Sequence, residues 1–408
     1  MRVGIVASLL KPNRSVVFQR FVLDEVLKLA KKGVNVHVFS RRVRGSFKWS
    51  NIWFHGIRGS KPLEYIKTVS RLVSDIPVQG FFRAPNHVLS DILYTQSILE
   101  HVKELDLDVL YAHSAYPEGF IAATVLMLTS RPKPLLTAIY GYDVYVEPKL
   151  GYGIRRYRGY DVAVRWGLGK ASVVVAPSVH LYKIASELLG SSSDIYLVSN
   201  GVDINRFHPR VSDSRIRRRW GLGDRKVVFA LKDHTRWCGF EYLIAAAAHI
   251  CRIRKDVVFI IGGNGELRPF YEALATKLKV RHRIIFTGWI PRVETPGYYA
   301  ACDVFVAPSL VEEFGLTVTE AMATGKPVIA SDIDGLRELV TDRVNGFLVP
   351  PKSVRLLADR ILYLLENPEE AMEMGLKGRK TVERSFNLDD RVRRLIQIFE
   401  ETIRSKGR

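Results

Sequence analysis

The sequence predicts an α/β protein of two doubly wound domains facing a central cleft, on three observations. Short apolar runs recur along the 408 residues, helix-length segments separate most of them, and the rhythm restarts after Asn200-Gly201-Val202-Asp203. With 47% hydrophobic residues, the chain holds enough apolar material for each domain to bury its own core. The expected domains are 1–200 and 201–387; a C-terminal helix over about 388–408 is a candidate to pack back onto the first, although periodicity does not say which domain supplies its surface.

The first element is Val3-Gly4-Ile5-Val6-Ala7, an apolar run of the kind a strand buried on both faces requires. Phe18, Phe21, Val22, Val26 and Leu29 then recur at helical spacing, Gly33 ends that pattern, and Val34 to Phe39 alternates as a second strand. Further strands are expected at Val109 to Tyr111, Leu135 to Ile139, Val173 to Ala176 and Tyr196 to Val198. Asn200 to Asp203 reads as a turn, followed by strands at Lys226 to Ala230, Val257 to Ile261, Arg283 to Phe286, Val304 to Ala307, Val328 to Ala330 and Phe347 to Val349. In the last helix, Val392, Leu395, Ile396, Phe399 and Ile403 share a face that needs an apolar surface to lie on. Open parallel sheets bind ligands outside the carboxyl ends of their strands, so function is expected there.

Composition narrows the function class. The longest nearly uninterrupted apolar stretch, Phe120 to Leu128, is far shorter than the roughly 20 residues of a membrane span, and Met1 leads directly into a strand-like run. Neither a span nor a signal peptide is expected. Cys238, Cys251 and Cys302 lie far apart without metal-ligand spacing, which argues against a disulfide framework and a zinc site and for a cytoplasmic setting. A net charge of +19 attracts phosphates, anionic lipid or nucleic acid without choosing among them, and no nucleic-acid-binding motif accompanies it.

The most informative stretch runs from Pro308 through Glu312-Glu313-Phe314-Gly315-Leu316 to Glu320-Ala321-Met322-Ala323-Thr324-Gly325-Lys326-Pro327-Val328, leaving a strand and entering a helix. The first amides of a helix have no intrahelical partners and sit at its positive end, so Gly315 to Thr317 suit a phosphate. Glu312 precedes the helix and Glu320 lies within it, so the two carboxylates address different parts of one extended ligand. Read as isolated residues, they would do no more than solvate a helix start.

This stretch resembles the E-x7-E signature of the family-four retaining glycosyltransferases, with Glu312 and Glu320 in the signature positions. The resemblance extends to Asn200-Gly201-Val202-Asp203 with Arg206-Phe207-His208-Pro209, to Gly262-Gly263-Asn264-Gly265-Glu266 and to Phe286-Thr287-Gly288-Trp289, in the family's order. It implies the GT-B fold of two Rossmann-like domains and transfer of a hexose from a nucleotide sugar, UDP- or GDP-linked, to a glycan, lipid-linked or small-molecule acceptor. It further implies that Glu320 binds the donor ribose, that amides of Phe314, Gly315 and Leu316 hold the diphosphate, and that Glu312 contacts the transferred sugar. The Gly263 loop and the backbone near Trp289 would complete the donor site, with the Trp289 ring itself either a platform or core packing. In the first domain, His113 looks like the family's sugar- or phosphate-contacting histidine. Asp143, in Tyr140-Gly141-Tyr142-Asp143, looks like the acid of its His-Gly-x-Asp segment, either acceptor-side or a loop element.

Two departures stand out. The family places an Arg and a Lys after the first strand of the second domain; aligning Gly239 puts Asp233 and Cys238 in those slots. Lys232 and Arg236 lie in the same loop and are expected to supply the cations from shifted positions, with His234 assisting. The Ser8 to Ser15 loop lacks the paired glycines often found there and receives no catalytic residue. These departures motivate an alternative reading, a catalytically silent scaffold that binds nucleotide sugar or glycan.

No Asp-x-Asp motif stands where a metal would be needed, so metal independence is expected. From Tyr152 to Lys170, Arg155, Arg156, Arg158, Arg165 and Lys170 interleave with Tyr157, Tyr160 and Trp166, resembling a surface for anionic lipid, as in peripheral contact with the inner membrane face, or for a phosphorylated acceptor; the alternative is an ordinary solvated helix.

Overall fold

The computed structural model describes residues 1–8, 20–57, 85–130, 132–190 and 194–406. Phe18 and the loop positions Leu9 to Ser15 lie outside the described residues. The chain forms two compact units, Met1–Ser199 with Asp389–Arg408, and Asn200–Leu388.

The first unit is built on eight strands: β1 (Arg2–Val6), β2 (Asn35–Arg44), β3 (Ser46–Trp49), β4 (Ile52–Ile57), β5 (Val109–His113), β6 (Leu135–Ala138), β7 (Val173–Ala176) and β8 (Asp194–Leu197). Their spatial order is β3-β4-β2-β1-β5-β6-β7-β8. All neighbours are parallel except β3 and β4, which are antiparallel. Central strands such as β5 are buried along their whole length, which is why they read as unbroken apolar runs. β3 and β4 are additions to the sequence-based list. Their signal was the alternation in Ser46-Phe47-Lys48-Trp49 and Ile52-Trp53-Phe54, split by Ser50-Asn51, with Ser50 at φ 54 closing the turn.

The C-terminal helix, Leu388–Lys406, contributes from Asp389 onward to this first unit. From Asp389 onward its buried apolar residues are Val392, Leu395, Ile398 and Phe399, and Phe399 packs edge-on against Tyr111 at 5.4 Å between ring centres. Ile398 replaces the half-exposed Ile396 and Ile403 of the expected face, because the stripe rotates with the 3.6-residue turn. Electrostatics fixes the helix in place. The Arg391 guanidinium donates to the Glu25 carboxylate and to the carbonyls of Val198, at 2.5 Å, and Ser199, at 3.1 Å; Lys28 reaches Asp389 at 2.8 Å.

The second unit carries a six-stranded parallel sheet: β9 (Lys226–Leu231), β10 (Val257–Gly262), β11 (Ile284–Gly288), β12 (Val304–Ala307), β13 (Val328–Ser331) and β14 (Phe347–Val349). Their order is β11-β10-β9-β12-β13-β14. One face is covered by helices Phe240–Ile253 and Val354–Glu366, whose Leu243, Ile244, Leu357 and Ile361 join a core with Val228 and Phe259. Helices Thr295–Ala301 and Leu316–Ala323 cover the other, around Phe229, Phe305, Tyr299 and Met322. The chain leaves β9 for β10 on one side and returns to pair β12 on the other, so the strand order reverses between β9 and β12.

Arg391 and Glu25 are both nearly inaccessible, and removing one partner strands a buried charge. Arg391→Met is expected to lower the unfolding free energy of the first unit by about 3–5 kcal/mol, with Glu25→Gln/Arg391→Met recovering part of the loss. Urea unfolding followed by far-UV circular dichroism checks both.

Candidate functional site

In the second unit, three loops emerge from the carboxyl ends of β9, β10 and β12, at the point where the strand order reverses. Such a point leaves a crevice, because the loops on either side diverge. Lys232 is the first residue after β9. Its ammonium donates across the reversal to Ser309 Oγ at 2.9 Å, the Val311 carbonyl at 2.9 Å and Glu312 Oε2 at 2.7 Å. The backbones are laced as well, since the amide of Leu310 donates to the Trp237 carbonyl at 2.8 Å. Lys232 and Glu312 each keep about a fifth of their side chains exposed, so the pair is accessible to a ligand.

The β10 loop lies against the same lysine. Gly263 stands at φ +103, and a β-carbon there would sit 2.0 Å from the Lys232 carbonyl oxygen, a close approach that only glycine allows. From β12, the chain passes buried Phe314 and reaches Gly315, which adopts a left-handed conformation at φ 92, ψ 58 as the N-cap of the Leu316–Ala323 helix. Any side chain at Gly315 would meet Leu336 at 2.6 Å, so the helix start stays bare backbone with its first amides available to an anion. Glu320, one turn further, accepts a hydrogen bond from Tyr299 at 2.8 Å. Trp289, beyond β11, is 45% exposed, which places its ring outside the core.

Arg236 shares the Lys232 loop and is exposed. The two departures from the family pattern stand in different surroundings. Asp233 is exposed, whereas Cys238 is buried with Sγ 3.0 Å from the Tyr271 hydroxyl, and burial pushes its thiol pKa up. His234 corrects an expectation. Its ring is fully buried among Phe240, Tyr271 and Phe286, at 5.3, 5.7 and 6.3 Å between ring centres, and desolvation lowers its pKa to about 4. A neutral, enclosed imidazole adds no cation beside Lys232.

In the first unit, the order reverses between β1 and β5, and His113 ends β5. Its Nδ1 lies 2.6 Å from the Tyr140 hydroxyl and its Nε2 3.4 Å from Glu25 Oε1. The ring has no solvent exposure, and burial lowers its pKa to about 4 against the opposing pull of Glu25. His113 therefore belongs to the buried network of Glu25, Arg391 and Tyr140. Asp143 is likewise committed: its carboxylate accepts from the amides of Ala115, Tyr140 and Gly141 at 2.6, 3.0 and 2.9 Å, and burial raises its pKa. It ties the 140–143 turn to the segment following His113.

Several partners escaped the sequence reading. Ser309 and Tyr299 carried no motif of their own, and Glu25 and Arg391 sit 366 residues apart in the chain, so no local pattern could pair them. In the basic stretch, Arg155 and Arg165 both turn onto Asp161, at 2.6 and 2.9 Å, and Lys170 lies 5.9 Å from the Trp166 ring centre. Arg156 stacks on Tyr157 at 4.7 Å, so these four cations are all engaged within the chain. Among the described residues, no helix is long and apolar enough to cross a membrane.

Comparison with known proteins sets this geometry in context. Residues 18–206 match the model for glycosyltransferase family 4, and residues 212–381 that for glycosyl transferases group 1. A GDP-mannose-dependent α-(1-6)-phosphatidylinositol monomannoside mannosyltransferase of Mycolicibacterium smegmatis is 31% identical over 312 residues, 73% of this chain and 78% of that one. An α-D-kanosaminyltransferase of Streptomyces kanamyceticus is also 31% identical, over 46% of this chain; the match spans 49% of that relative's length. N-acetyl-α-D-glucosaminyl L-malate synthase of Bacillus anthracis is 23% identical over 92% of both chains. Among solved structures, sucrose-phosphate synthase from Thermosynechococcus elongatus superposes with a TM-score of 0.80 at 21% identity, covering 99% of both chains. Anabaena HepE in complex with UDP and glucose gives 0.73 at 20% identity, over 98% of this chain and 99% of that one. At these identities the two structures establish the shared fold, GT-B, and nothing finer.

The buried imidazoles generate a pH prediction. Folded His234 titrates near 4, against an ordinary value of 6.5, so between these pH values the unfolded chain binds a proton that the folded chain refuses. Its contribution to stability is complete above about pH 6.5 and is lost as pH falls toward 4. His234→Phe keeps an aromatic ring in the pocket and removes the titration. The urea midpoint of the wild type is therefore expected to fall relative to that of His234→Phe on acidification through this window.

Proposed function

The chain belongs to the family-four glycosyltransferases, and from that premise we propose that it is a retaining hexosyltransferase whose donor site is the loop cluster of the second unit. The observation that carries this reading is Lys232 facing Glu312 beside the bare helix start at Gly315. A nucleoside diphosphate sugar, UDP- or GDP-linked, has the matching order of groups. Its ribose hydroxyls suit the Glu320 carboxylate, its diphosphate the amides of Phe314 to Leu316, and its sugar hydroxyls Glu312. The Gly263 loop and the Trp289 backbone bound the nucleotide end.

In this proposal Lys232 answers the departures at Asp233 and Cys238. A cation directly after β9 occupies the same loop, and its present ligands, Ser309, Val311 and Glu312, are oxygens that a diphosphate oxygen can replace. Exposed Arg236 adds a second positive charge to that loop. In the transfer, the bond from the anomeric carbon to the phosphate oxygen breaks and a bond to the acceptor oxygen forms on the same face. The acceptor proton passes to the departing phosphate. Preorganised positive charge at the leaving oxygens stabilises that step, and removal of one such donor costs on the order of 2.7–4 kcal/mol. The relatives named above act on differing acceptors, so the acceptor is proposed only as a glycan, lipid-linked or small-molecule hydroxyl.

The silent-scaffold alternative predicts nucleotide binding without turnover, which separates it from this reading. A thermal-shift panel of UDP, GDP, ADP and their hexose conjugates is expected to raise the melting temperature for one nucleotide series, with the shift lost in Glu320→Ala. No shift for any member would overturn the donor-site assignment. Once the donor is known, Lys232→Ala is expected to lower kcat by about 10²–10³-fold, with a further loss in Lys232→Ala/Arg236→Ala. Unchanged turnover in the double variant would remove both residues from the mechanism.

A further inference from the structure

The Glu320 carboxylate is held by an aromatic device that no motif announces. Tyr299 lies on the helix Thr295–Ala301 and is fully buried, yet its hydroxyl reaches Glu320 Oε2 at 2.8 Å. Its ring is fixed from three sides, edge-on to Phe207 at 5.9 Å and Phe229 at 5.3 Å and tilted against Phe305 at 5.3 Å between centres. A ring enclosed in this way cannot swing, so the phenol oxygen is a fixed point in the second unit. Glu320 is only half-buried, and an unsupported glutamate on a helix surface samples several rotamers. A donor locked onto one carboxylate oxygen selects one of them.

Charge supports the same arrangement. Arg206, from the segment entering this unit, stacks over Phe207 at 4.9 Å and donates to the Arg292 carbonyl. Burial weakens its charged form, and the Glu320 carboxylate is the foremost of the groups that restore it, ahead of Asp203 and Tyr299. Tyr299, anchored in the apolar core, thus hydrogen-bonds a carboxylate that is also coupled by charge to Arg206.

We propose that Tyr299 is a positioning residue for Glu320, fixing the carboxylate so that it distinguishes a ribose from a 2′-deoxyribose in the bound nucleotide. This rests on the donor-site reading above. A carboxylate set in one rotamer accepts from vicinal hydroxyls together, and losing the 2′-hydroxyl then costs a charge-assisted hydrogen bond. A mobile carboxylate gains less from that hydroxyl, so discrimination falls even where binding persists.

The test is Tyr299→Phe, which keeps the packed ring and deletes the hydroxyl. Dissociation constants by calorimetry are compared for UDP, GDP and their 2′-deoxy counterparts, with Glu320→Gln as reference and the ligand-free melting temperature as a check on folding. The wild type is expected to prefer the ribonucleotide by about tenfold or more, the size of one charge-assisted hydrogen bond. Tyr299→Phe is expected to lose most of that preference, and Tyr299→Phe/Glu320→Gln to lose no more than Glu320→Gln alone. Full ribose preference in a folded Tyr299→Phe overturns the proposal while leaving the donor site intact. A wild type that binds a nucleotide but shows no ribose preference, or binds none, overturns the role given to Glu320 and this inference with it.

Discussion

Lys232 and Glu312 meet because β9 and β12 are neighbours in a sheet though 72 residues of chain, 232–303, lie between the end of one and the start of the other. That adjacency is the constraint on which the second unit's chemistry depends. A parallel sheet must leave β9 toward β10 and β11 and come back to pair β12 on the opposite edge, and this reversal opens the only kind of crevice an open sheet makes. The ammonium and carboxylate across it belong to loops whose backbones are also joined, through Trp237 and Leu310. Gly263 and Gly315 serve the same arrangement by bringing bare backbone where a β-carbon would collide.

The two units use their reversal points differently. In the second, the loops carry half-exposed charges and an open helix start. In the first, the corresponding position is filled from within: His113 is buried between Tyr140 and Glu25, Glu25 is neutralised by Arg391, and Asp143 is consumed by three amides. Burying an acid, a base and a histidine together is costly unless each is satisfied, and here the C-terminal helix brings the compensating charge. That helix is structural for the unit that the chain has already left, which makes Met1–Ser199 dependent on residues at the opposite end of the sequence.

Legibility from sequence followed the range of the interactions. Strand runs such as Val173 to Ala176 and Val257 to Ile261 were readable because a strand buried on both faces must be apolar throughout. The β3–β4 hairpin was missed because β3 is only four residues long with no buried position, and its alternation is too short to stand out as a strand. Glu312 and Glu320 were legible as a pair through their fixed spacing around a helix start. Lys232 was legible only as a cation in the right loop, and His234 was misjudged because residue type alone does not reveal which way a side chain faces.

What the sequence determined by itself is local: period, strand identity, the helix start at Gly315 and the order of motifs that places the chain in its family. These are set by neighbours a few residues apart, where propensity and backbone geometry act directly. The tertiary structure alone decided which charges meet. It gave Lys232 three oxygens from the loop after a strand far away in sequence, joined Tyr299 to Glu320 from two different helices, and put Arg391 on Glu25 across nearly the whole chain. The physical reason is that hydrogen bonds and ion pairs act over a few ångströms of space, whatever the separation along the chain, and only folding fixes those distances.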